Sequence, residues 1–246
     1  MRRAPRDDGS GDEPLLSVQG LGRRYGEVVA LEGLDLALGP GDAVALLGHN
    51  GSGKTTALHC IAGLLEPTTG SVRIVGADPH REPEAARARA ALAFVADSPV
   101  FYRDLTVVEH VQLVVVSHGV SPDRTDSVLD ELGLAQHREI VFPQQLSAGL
   151  RQRAQLACAL VRPYRLLLLD EPTLRLDPGG QRWLSERLAR ACGDGAAVLF
   201  STHQLEFASR LAARAVLLSE GRVLAAGPLD GVLASEAASE TGIVAA

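Results

Sequence analysis

The sequence predicts an α/β fold with a mostly parallel sheet, an antiparallel β-subdomain and an inserted α-helical subdomain. Three observations lead to this prediction. Residues 15–47 hold short apolar runs separated by glycines, which is typical of antiparallel strands. Residues from about 83 to 161 form helix-like segments, which indicates an all-helical lobe. From residue 165 onward strand-like and helix-like segments alternate, and such alternation favours a parallel sheet.

Glycines separate the first predicted strands, and a proline ends the first predicted helix. Apolar residues dominate 34–38, just before a Gly-Pro-Gly turn. Residues 43–47 form a continuous apolar run, which suits a strand buried on both faces. Residues 57–65 have helical spacing that stops at Pro67, and residues 71–75 then look like another strand. The antiparallel part is thus followed by the order strand, helix, strand.

Helices dominate the middle of the chain, and strands return after it. The middle holds predicted helices over 84–91, 105–117 and 123–132, with N-caps at Thr106 and Ser121. The elements after it are a strand over 166–169, a helix over 178–191, a strand over 196–201, a helix from Gln204 and a strand over 215–218. This alternation is what parallel strands joined by crossover helices require.

The two ends of the chain carry no predicted function. Residues 1–14 contain three arginines, then turn acidic and glycine-rich, and they lack the apolar run of a secretory signal. We expect a disordered arm there, a folded domain over residues 15–235, and a flexible tail over 236–246. No stretch approaches the ~20 apolar residues that a membrane-spanning helix needs.

Composition and charge exclude several classes of protein. The 246 residues fit one large α/β domain, or one domain with a smaller lobe. A net charge of −6 argues against a general nucleic-acid binder, which usually carries a basic surplus. The three cysteines show neither a disulfide framework nor a metal-ligand spacing. We expect small buried apolar residues in a reducing compartment at Cys60, Cys158 and Cys192.

A glycine-rich segment lies between the apolar run at 43–47 and the helix after it. It consists of Gly48, His49, Asn50, Gly51, Ser52, Gly53, Lys54, Thr55 and Thr56. This is the pattern G-x-x-x-x-G-K-[ST] of a phosphate-binding loop, in the strand-to-helix context that the loop needs. Its glycines let backbone N–H groups point at phosphate oxygens, and the helix N-terminus adds a positive dipole. Lys54 can contact the β- and γ-phosphates and the Thr55 hydroxyl can bind Mg²⁺, so the sequence predicts a P-loop NTPase core that binds MgATP.

Two carboxylates and a histidine follow strands of the same predicted sheet. Asp170 and Glu171 come directly after the strand at 166–169, and His203 follows the strand at 196–201. Ligands bind beyond the carboxyl ends of the strands in an open parallel sheet, which places these side chains near the phosphate loop. There Asp170 can hold Mg²⁺, and Glu171 can polarise an attacking water. His203 can contact the γ-phosphate, although its position alone fits a structural role equally well.

Several motifs in order resemble the ATPase subunit of ATP-binding-cassette (ABC) transporters, over nearly all of residues 15–227. The phosphate loop and the apolar run ending in two carboxylates match the two Walker motifs of that family. Tyr25 matches the aromatic side chain that stacks on adenine, and His203 matches the switch histidine. Leu-Ser-Ala-Gly-Leu at 146–150 takes the place of the signature L-S-G-G-Q, and residues 176–177 resemble the D-loop.

The mechanism that the resemblance implies depends on the signature segment. In the family, two cassettes dimerise head to tail, and each signature helix caps the ATP held by the opposite phosphate loop. Ser147 and the Gly149 amide match the groups that reach this γ-phosphate. Glu171, His203 and Lys54 are the catalytic residues that the resemblance implies. Without the family, the Ser-Ala-Gly segment is an ordinary helix cap.

Three sites depart from the family pattern. Asp97 stands where the family usually has a Gln that ends a strand and enters the helical lobe. Its carboxylate can offer an oxygen to Mg²⁺ but adds a charge. Ala148 and Leu150 replace a Gly and a Gln of the signature, which predicts weaker contacts across the dimer. Arg175 lies in the D-loop, where a small side chain is common. None of these changes removes a group assigned to the chemistry, so we expect activity.

The leading hypothesis is an ATP-binding subunit that hydrolyses MgATP to drive a separate transmembrane permease. It would act in a head-to-tail dimer, either with itself or with a paralogous ABC ATPase subunit. The helical lobe around residues 97–116 would receive the permease, and its apolar run at 105–111 resembles that of exporters. Such a subunit is cytoplasmic and is held peripherally at the inner face of the cell membrane.

Two other functions compete with this hypothesis. A cytosolic ABC-type ATPase acting on DNA or ribosomes usually has a long coiled coil or two cassettes in one chain. This sequence has one cassette, no heptads and a negative charge, so no nucleic-acid partner is expected. A nucleotide-gated regulatory subunit without turnover is supported only by the altered signature.

Overall fold

The computed structural model of the chain describes residues 13–141 and 145–243, so residues 1–12 of the predicted arm lie outside the described residues. The strands are β1 (Leu16–Tyr25), β2 (Val28–Leu38), β3 (Ala43–Leu47), β4 (Thr69–Ile74), β5 (Leu92–Val95), β6 (Leu166–Leu169), β7 (Ala197–Thr202), β8 (Arg214–Ser219) and β9 (Arg222–Pro228). The α-helices are α1 (Lys54–Ile61), α2 (Glu84–Ala91), α3 (Val107–Ser117), α4 (Asp123–Glu131), α5 (Ala148–Leu160), α6 (Pro178–Gly193), α7 (Leu205–Leu211), α8 (Leu229–Leu233) and α9 (Glu236–Glu240). No helix within these described ranges has both the length and the apolar character that a membrane span needs.

All the strands of the described residues join one nine-stranded sheet, in the order β4-β1-β2-β9-β8-β3-β7-β6-β5. The strands β8, β3, β7, β6 and β5 run parallel to one another. β1 pairs antiparallel with β2 and β4, and β9 pairs antiparallel with β8. β9 meets β2 through a parallel pair of Glu32 and Arg222. The predicted α/β fold, with a mostly parallel core and an antiparallel β-subdomain, is confirmed.

The central strands are buried on both faces, because apolar layers cover each side of the sheet. Ala45 and Leu47 of β3 join one apolar cluster, which also contains residues of α3, α5 and α6. Val44 and Leu46 join the other, together with residues of α1, β1 and β2. All residues of β6 are likewise fully buried. These strands therefore need apolar side chains at every position, which is why they lack the alternation of a half-buried strand.

The segment 83–161 is not all helical, and the sequence prediction is wrong in this respect. β5 lies inside it and pairs in parallel with β6. Periodicity alone cannot distinguish a short apolar strand from a buried piece of helix, which is the reason for the error. The helices α3, α4 and α5 all follow β5 and contact one another. We therefore propose that the helical subdomain begins after β5 and not at residue 83.

Of the two predicted helix caps, Thr106 is confirmed and Ser121 is wrong. The Thr106 Oγ1 accepts from the Glu109 N–H, and the Glu109 carboxylate accepts from the Thr106 N–H, which together form a capping box. Pro122 occupies the N-cap position of α4 and makes no side-chain cap. The Ser121 hydroxyl instead lies 3.4 Å from the Asp123 carboxylate. Proline already fixes φ near a helical value, so the chain enters α4 without a capping hydroxyl.

The C-terminal segment is helical where the sequence predicts a flexible tail. α9 is capped by Ser235, whose Oγ accepts from the Ala238 N–H at 3.3 Å. Ala238 is fully buried in the larger apolar cluster, and the His49 ring contacts the carbonyl oxygen of Thr241. A short, weakly amphipathic helix gives little signal in sequence, and here tertiary burial supplies its partner. Residues 244–246 of the predicted tail lie outside the described residues.

The cysteines are protonated thiols in largely apolar surroundings. Cys60 is fully buried, as predicted, and burial raises the pKa of its thiol to about 11. Cys158 and Cys192 retain some exposure, so they are less buried than predicted. Burial nevertheless raises their pKa values to about 12 and about 11. A thiol with so high a pKa carries little thiolate at neutral pH and is therefore unreactive.

Candidate functional site

The carboxyl ends of β3, β6 and β7 lead to a cleft of about 510 Å³. Its lining consists of Val28, Val29, Ala30, Asn50, Gly51, Ser52, Gly53, Lys54, Thr55, Thr56, Asp97, Glu171, Leu174 and His203. This is the edge of an open parallel sheet at which ligands bind. The structure therefore brings most of the predicted phosphate loop together with Asp97, Glu171 and His203.

Two glycines of the phosphate loop are required by its geometry. Gly48 has φ +152°, and a Cβ at this position would collide with the Leu218 carbonyl oxygen and with Ser52. Gly53 has φ +105°, and a Cβ there would lie 2.6 Å from the carbonyl oxygen of Ala30. Glycine alone tolerates such backbone angles and such close approaches. The loop can therefore turn tightly from β3 into α1, whose first residues line the cleft.

Lys54 is held inside the loop by main-chain oxygens. The residue is only 5% exposed, and its Nζ donates to the carbonyl oxygens of Gly48 at 2.7 Å and His49 at 3.0 Å. The Nζ also lies 3.6 Å from Glu171 Oε1, which is an ion pair but too long for a hydrogen bond. An ammonium has three donors, and two are used by the carbonyls. The third is available to a phosphate oxygen in the cleft.

Ser201, at the end of β7, binds the Asp170 carboxylate and the Glu171 main chain at the end of β6. Its Oγ donates to Asp170 Oδ1 at 2.6 Å and accepts from the Glu171 N–H at 2.8 Å. Glu171 has φ +44°, a left-handed backbone conformation that is uncommon for a residue other than glycine. His203 Nδ1 donates to Glu171 Oε2 at 3.0 Å. Backbone strain of this kind concentrates at functional sites, and here it accompanies a carboxylate held between Lys54 and His203.

Three buried side-chain oxygens of this region have no hydrogen-bond partner among the described residues: Ser52 Oγ, Asp170 Oδ2 and Glu171 Oε1. An unpaired buried polar atom costs about 1–3 kcal/mol, so three together indicate a place for a ligand. Mg²⁺ prefers oxygen ligands and is usually held by one or two carboxylates together with substrate phosphates. Among the described residues, no group of three or more His, Cys, Asp or Glu side chains is arranged to hold a metal ion by itself. The donor set therefore fits a magnesium ion that is held in part by a nucleotide.

Tyr25, Ser147 and Gly149 are not among the residues that line this cleft. Tyr25 is 49% exposed, and the Arg23 guanidinium lies 4.7 Å from the centre of its ring. Ser147 caps α5, because its Oγ accepts from the Leu150 N–H at 3.3 Å. The structure thus places the signature residues at the exposed N-terminal end of α5, a largely buried helix, and outside the cleft of their own chain. Their contacts with a nucleotide stay predictions.

Asp97 lines the cleft but is already paired with a cation. Arg175 Nη1 donates to Asp97 Oδ1 at 3.1 Å and also to the main-chain oxygen of Asp97. The carboxylate that the sequence predicts as a metal ligand is therefore engaged by a guanidinium. Its role at a metal stays a prediction.

Neither the role of Ser201 nor the pairing of Asp97 with Arg175 was predicted from the sequence. Ser201 carries a usable signal, because it precedes His203 by two positions in the same strand-ending run. The Asp97–Arg175 pair joins residues 78 positions apart. Each residue is visible in the sequence as a departure from the family pattern, but their contact depends on the tertiary structure.

Replacing Ser201 by Ala should destabilise the protein and slow hydrolysis. The change leaves the buried Glu171 N–H and Asp170 Oδ1 without a partner, so we expect the free energy of unfolding to fall by about 1–3 kcal/mol. We also expect a lower kcat, because the Glu171 carboxylate loses its fixed position. Urea denaturation and steady-state ATP hydrolysis measure the two effects.

The matched control is Ser127→Ala. This exposed serine makes a hydrogen bond only within its own helix, from its Oγ to the Asp123 carbonyl oxygen at 3.2 Å. A surface change of this kind should alter stability by no more than about 0.5 kcal/mol. Equal effects of the two substitutions would contradict the role assigned to Ser201.

Comparison with known proteins gives one family. The family model described as "ABC transporter" matches residues 31–174 of the chain. The chain is 35% identical over 220 residues to the ABC-type transporter ATP-binding protein EcsA of Bacillus subtilis, which covers 88% of each chain. It is 35% identical over 216 residues to the SkfA peptide export ATP-binding protein SkfE of the same species, covering 85% of this chain and 87% of the relative.

The fold is also found among solved structures. A structure described as the ATP binding subunit of an ABC transporter superimposes with a TM-score of 0.81 and 34% sequence identity. The match covers 94% of this chain and 95% of that one. The likeness therefore extends over nearly the whole chain.

Proposed function

We propose that this chain, which belongs to the ABC transporter family and is an ATPase, hydrolyses MgATP at a head-to-tail dimer interface to drive a separate membrane permease. One observation carries the proposal. Lys54, Glu171 and His203 meet in a single cleft, with a buried, half-satisfied Asp170 beside them. This set supplies a cation for phosphate, a base for water and oxygens for a metal ion.

The phosphate loop would bind the nucleotide and Lys54 would orient it. Backbone N–H groups of the loop and the N-terminus of α1 would receive the phosphate oxygens, and Lys54 would give its free donor to the β- and γ-phosphates. The Thr55 hydroxyl and Asp170 Oδ2 would hold Mg²⁺, which when bound neutralises charge on the phosphates. Ser201 already fixes the other Asp170 oxygen, so Oδ2 is the one left for this role.

Glu171 would act as the general base. Its Oε1 has no hydrogen-bond partner among the described residues, so it can accept a proton from a water molecule. The oxygen of that water would attack the γ-phosphorus. The new bond would join the γ-phosphorus to the oxygen of the water. The bond that breaks joins the γ-phosphorus to the oxygen of the leaving ADP. His203 holds Oε2 and thereby fixes the orientation of the carboxylate. The free edge of its ring would contact the γ-phosphate.

A second subunit would complete each site. Ser147 and Gly149 lie at the N-terminus of α5 and outside the cleft of their own chain, so they are available to a nucleotide held elsewhere. A helix N-terminus favours anions because its N–H groups are unpaired and its dipole is positive. We propose that they cap the ATP bound by an identical chain or by a paralogue, and that Tyr25 stacks on adenine.

The permease would dock on the helical subdomain, on the cytoplasmic side of the membrane. Five large apolar side chains of this region are exposed: Val100, Tyr102, Leu113, Val116 and Val141. A cluster of exposed apolar side chains is typical of an interaction surface. The apolar run in α3 and the name of the relative SkfE, a peptide export protein, both favour export as the direction.

The proposal is tested by measuring MgATP hydrolysis against the concentration of the purified chain, with Glu171→Gln as the inactive control. A site shared by two identical chains should give activity that rises roughly as the square of concentration, until the dimer is populated. Linear activity at concentrations where the chain sediments as a monomer would contradict a shared site. Tight nucleotide binding without turnover at any concentration would contradict the homodimer and favour a paralogous partner or a regulatory subunit.

A further inference from the structure

Two departures from the family pattern lie on separate segments and pair with each other. Arg175 Nη1 donates to the main-chain oxygen of Asp97 and, at 3.1 Å, to its carboxylate. The two side chains are 27% and 40% exposed, so the pair is partly shielded from water. Because both acceptors belong to one residue, they fix the orientation of the planar guanidinium, and the carboxylate also pairs with its charge. The pair thus joins the segment after β5 to the segment between β6 and α6.

The same residue also touches the start of the signature helix. The carbonyl oxygen of Arg175 lies so close to Gly149 that a Cβ at position 149 would approach it to 3.0 Å. A second contact joins the same two segments, because Arg153 of α5 pairs with Asp177 at 3.3 Å. The segment from Arg175 to Asp177 is therefore packed between the end of β5 and the N-terminal half of α5.

We propose that Arg175 is a positioning residue that, through Asp97, holds the N-terminus of α5 at a fixed place relative to the sheet. Asp97 then acts on the chemistry through Arg175 and is not a metal ligand. The inference rests on the proposed function, since the benefit of a fixed α5 is a correctly placed Ser147 and Gly149 for the second subunit. It adds a connection between the nucleotide cleft and the signature within one chain.

The Asp97 carboxylate would have to be oriented differently to bind a metal ion than it is in its pair with Arg175. A carboxylate that binds Mg²⁺ directs an oxygen at the metal, and the nearby guanidinium would then be repelled by a second cation. The pairing observed directs Oδ1 at Arg175 and leaves Oδ2 near the Ser98 hydroxyl, at 3.4 Å. Loss of Asp97 should therefore affect the placement of α5 and leave the magnesium requirement unchanged.

A double-mutant cycle on the full chain tests the proposal. The variants are Asp97→Ala, Arg175→Ala and the double variant, with Arg175→Lys as the conservative change. We expect each single change to lower kcat about tenfold, with KM for MgATP and the Mg²⁺ requirement changed no more than about twofold. The double variant should be no worse than the poorer single one, and Arg175→Lys should recover part of the loss.

Hydrogen–deuterium exchange of the nucleotide-free chain gives a readout that needs no turnover. Arg175→Ala and Asp97→Ala should each speed exchange at residues 146–151 about tenfold, and leave the phosphate loop unchanged. The control is Arg138→Ala, which removes a comparable pair with Asp126 at 3.0 Å elsewhere in the helical subdomain. It should affect neither exchange at 146–151 nor kcat.

The outcomes separate this inference from the proposed function. Faster exchange at 146–151 in the two alanine variants of a chain whose wild type shows no turnover would contradict hydrolysis by this chain alone and keep the positioning role. Unchanged exchange, fully additive losses of kcat, or a raised Mg²⁺ requirement in Asp97→Ala would each overturn the positioning role, whether or not the wild type hydrolyses ATP.

Discussion

Glu171→Gln is expected to retain ATP binding and to lower kcat by roughly 10²–10⁴-fold, the usual contribution of a general base. Glutamine keeps the length of the side chain and its carbonyl oxygen can still accept from His203. It cannot take a proton from water, so the attack on the γ-phosphorus loses its base. Steady-state hydrolysis and calorimetric titration with MgATP measure the two properties on the same sample.

The same variant should accumulate as an ATP-bound dimer, because hydrolysis no longer releases the nucleotide. Sedimentation with and without ATP checks this. The matched control is Glu220→Gln, since Glu220 is also a glutamate with positive φ, +48°, but lies exposed in the turn between β8 and β9. Glu220→Gln should hydrolyse ATP at the normal rate. A normal kcat in Glu171→Gln would remove Glu171 from the chemistry.

Lys54→Ala is expected to abolish tight ATP binding. The change removes a buried cation that would pair with the phosphates, and such truncations cost about 2–5 kcal/mol, or roughly 30-fold to several thousand-fold in affinity. Affinity is best measured in the Glu171→Gln background, where ATP is not consumed. Calorimetric titration then compares the single variant Glu171→Gln with the double variant.

The composition of the chain provides an independent check, because Lys54 is its only lysine. An amine-selective reagent can therefore modify only Lys54 and the N-terminal amine. MgATP should protect Lys54 from the reagent and leave the N-terminal amine reactive. Lys54→Arg is the matched variant with the same charge, and it should fold normally but bind ATP weakly, since a planar guanidinium does not fit between the Gly48 and His49 carbonyls. Unchanged affinity in Lys54→Ala would refute the phosphate-loop assignment.

The sequence alone determined the elements that local patterns specify. The predicted strands at 43–47 and 166–169 agree residue by residue with β3 and β6. The phosphate loop and the N-cap at Thr106 were also predicted, because each consists of neighbouring residues with a fixed spacing. Such features are encoded within a few positions, so they can be read before the fold is known.

Only the tertiary structure decided which distant residues meet. β5 joins the sheet because Leu92–Val95 finds a parallel partner in β6, and α9 is ordered because Ala238 finds a buried place. Ser201 bridges the Asp170 carboxylate and the Glu171 N–H, and Arg175 reaches Asp97, only after the strands have come together. These contacts depend on distances between segments far apart in the chain. Local propensity carries no information about such distances, whereas the packing of strands and helices fixes them.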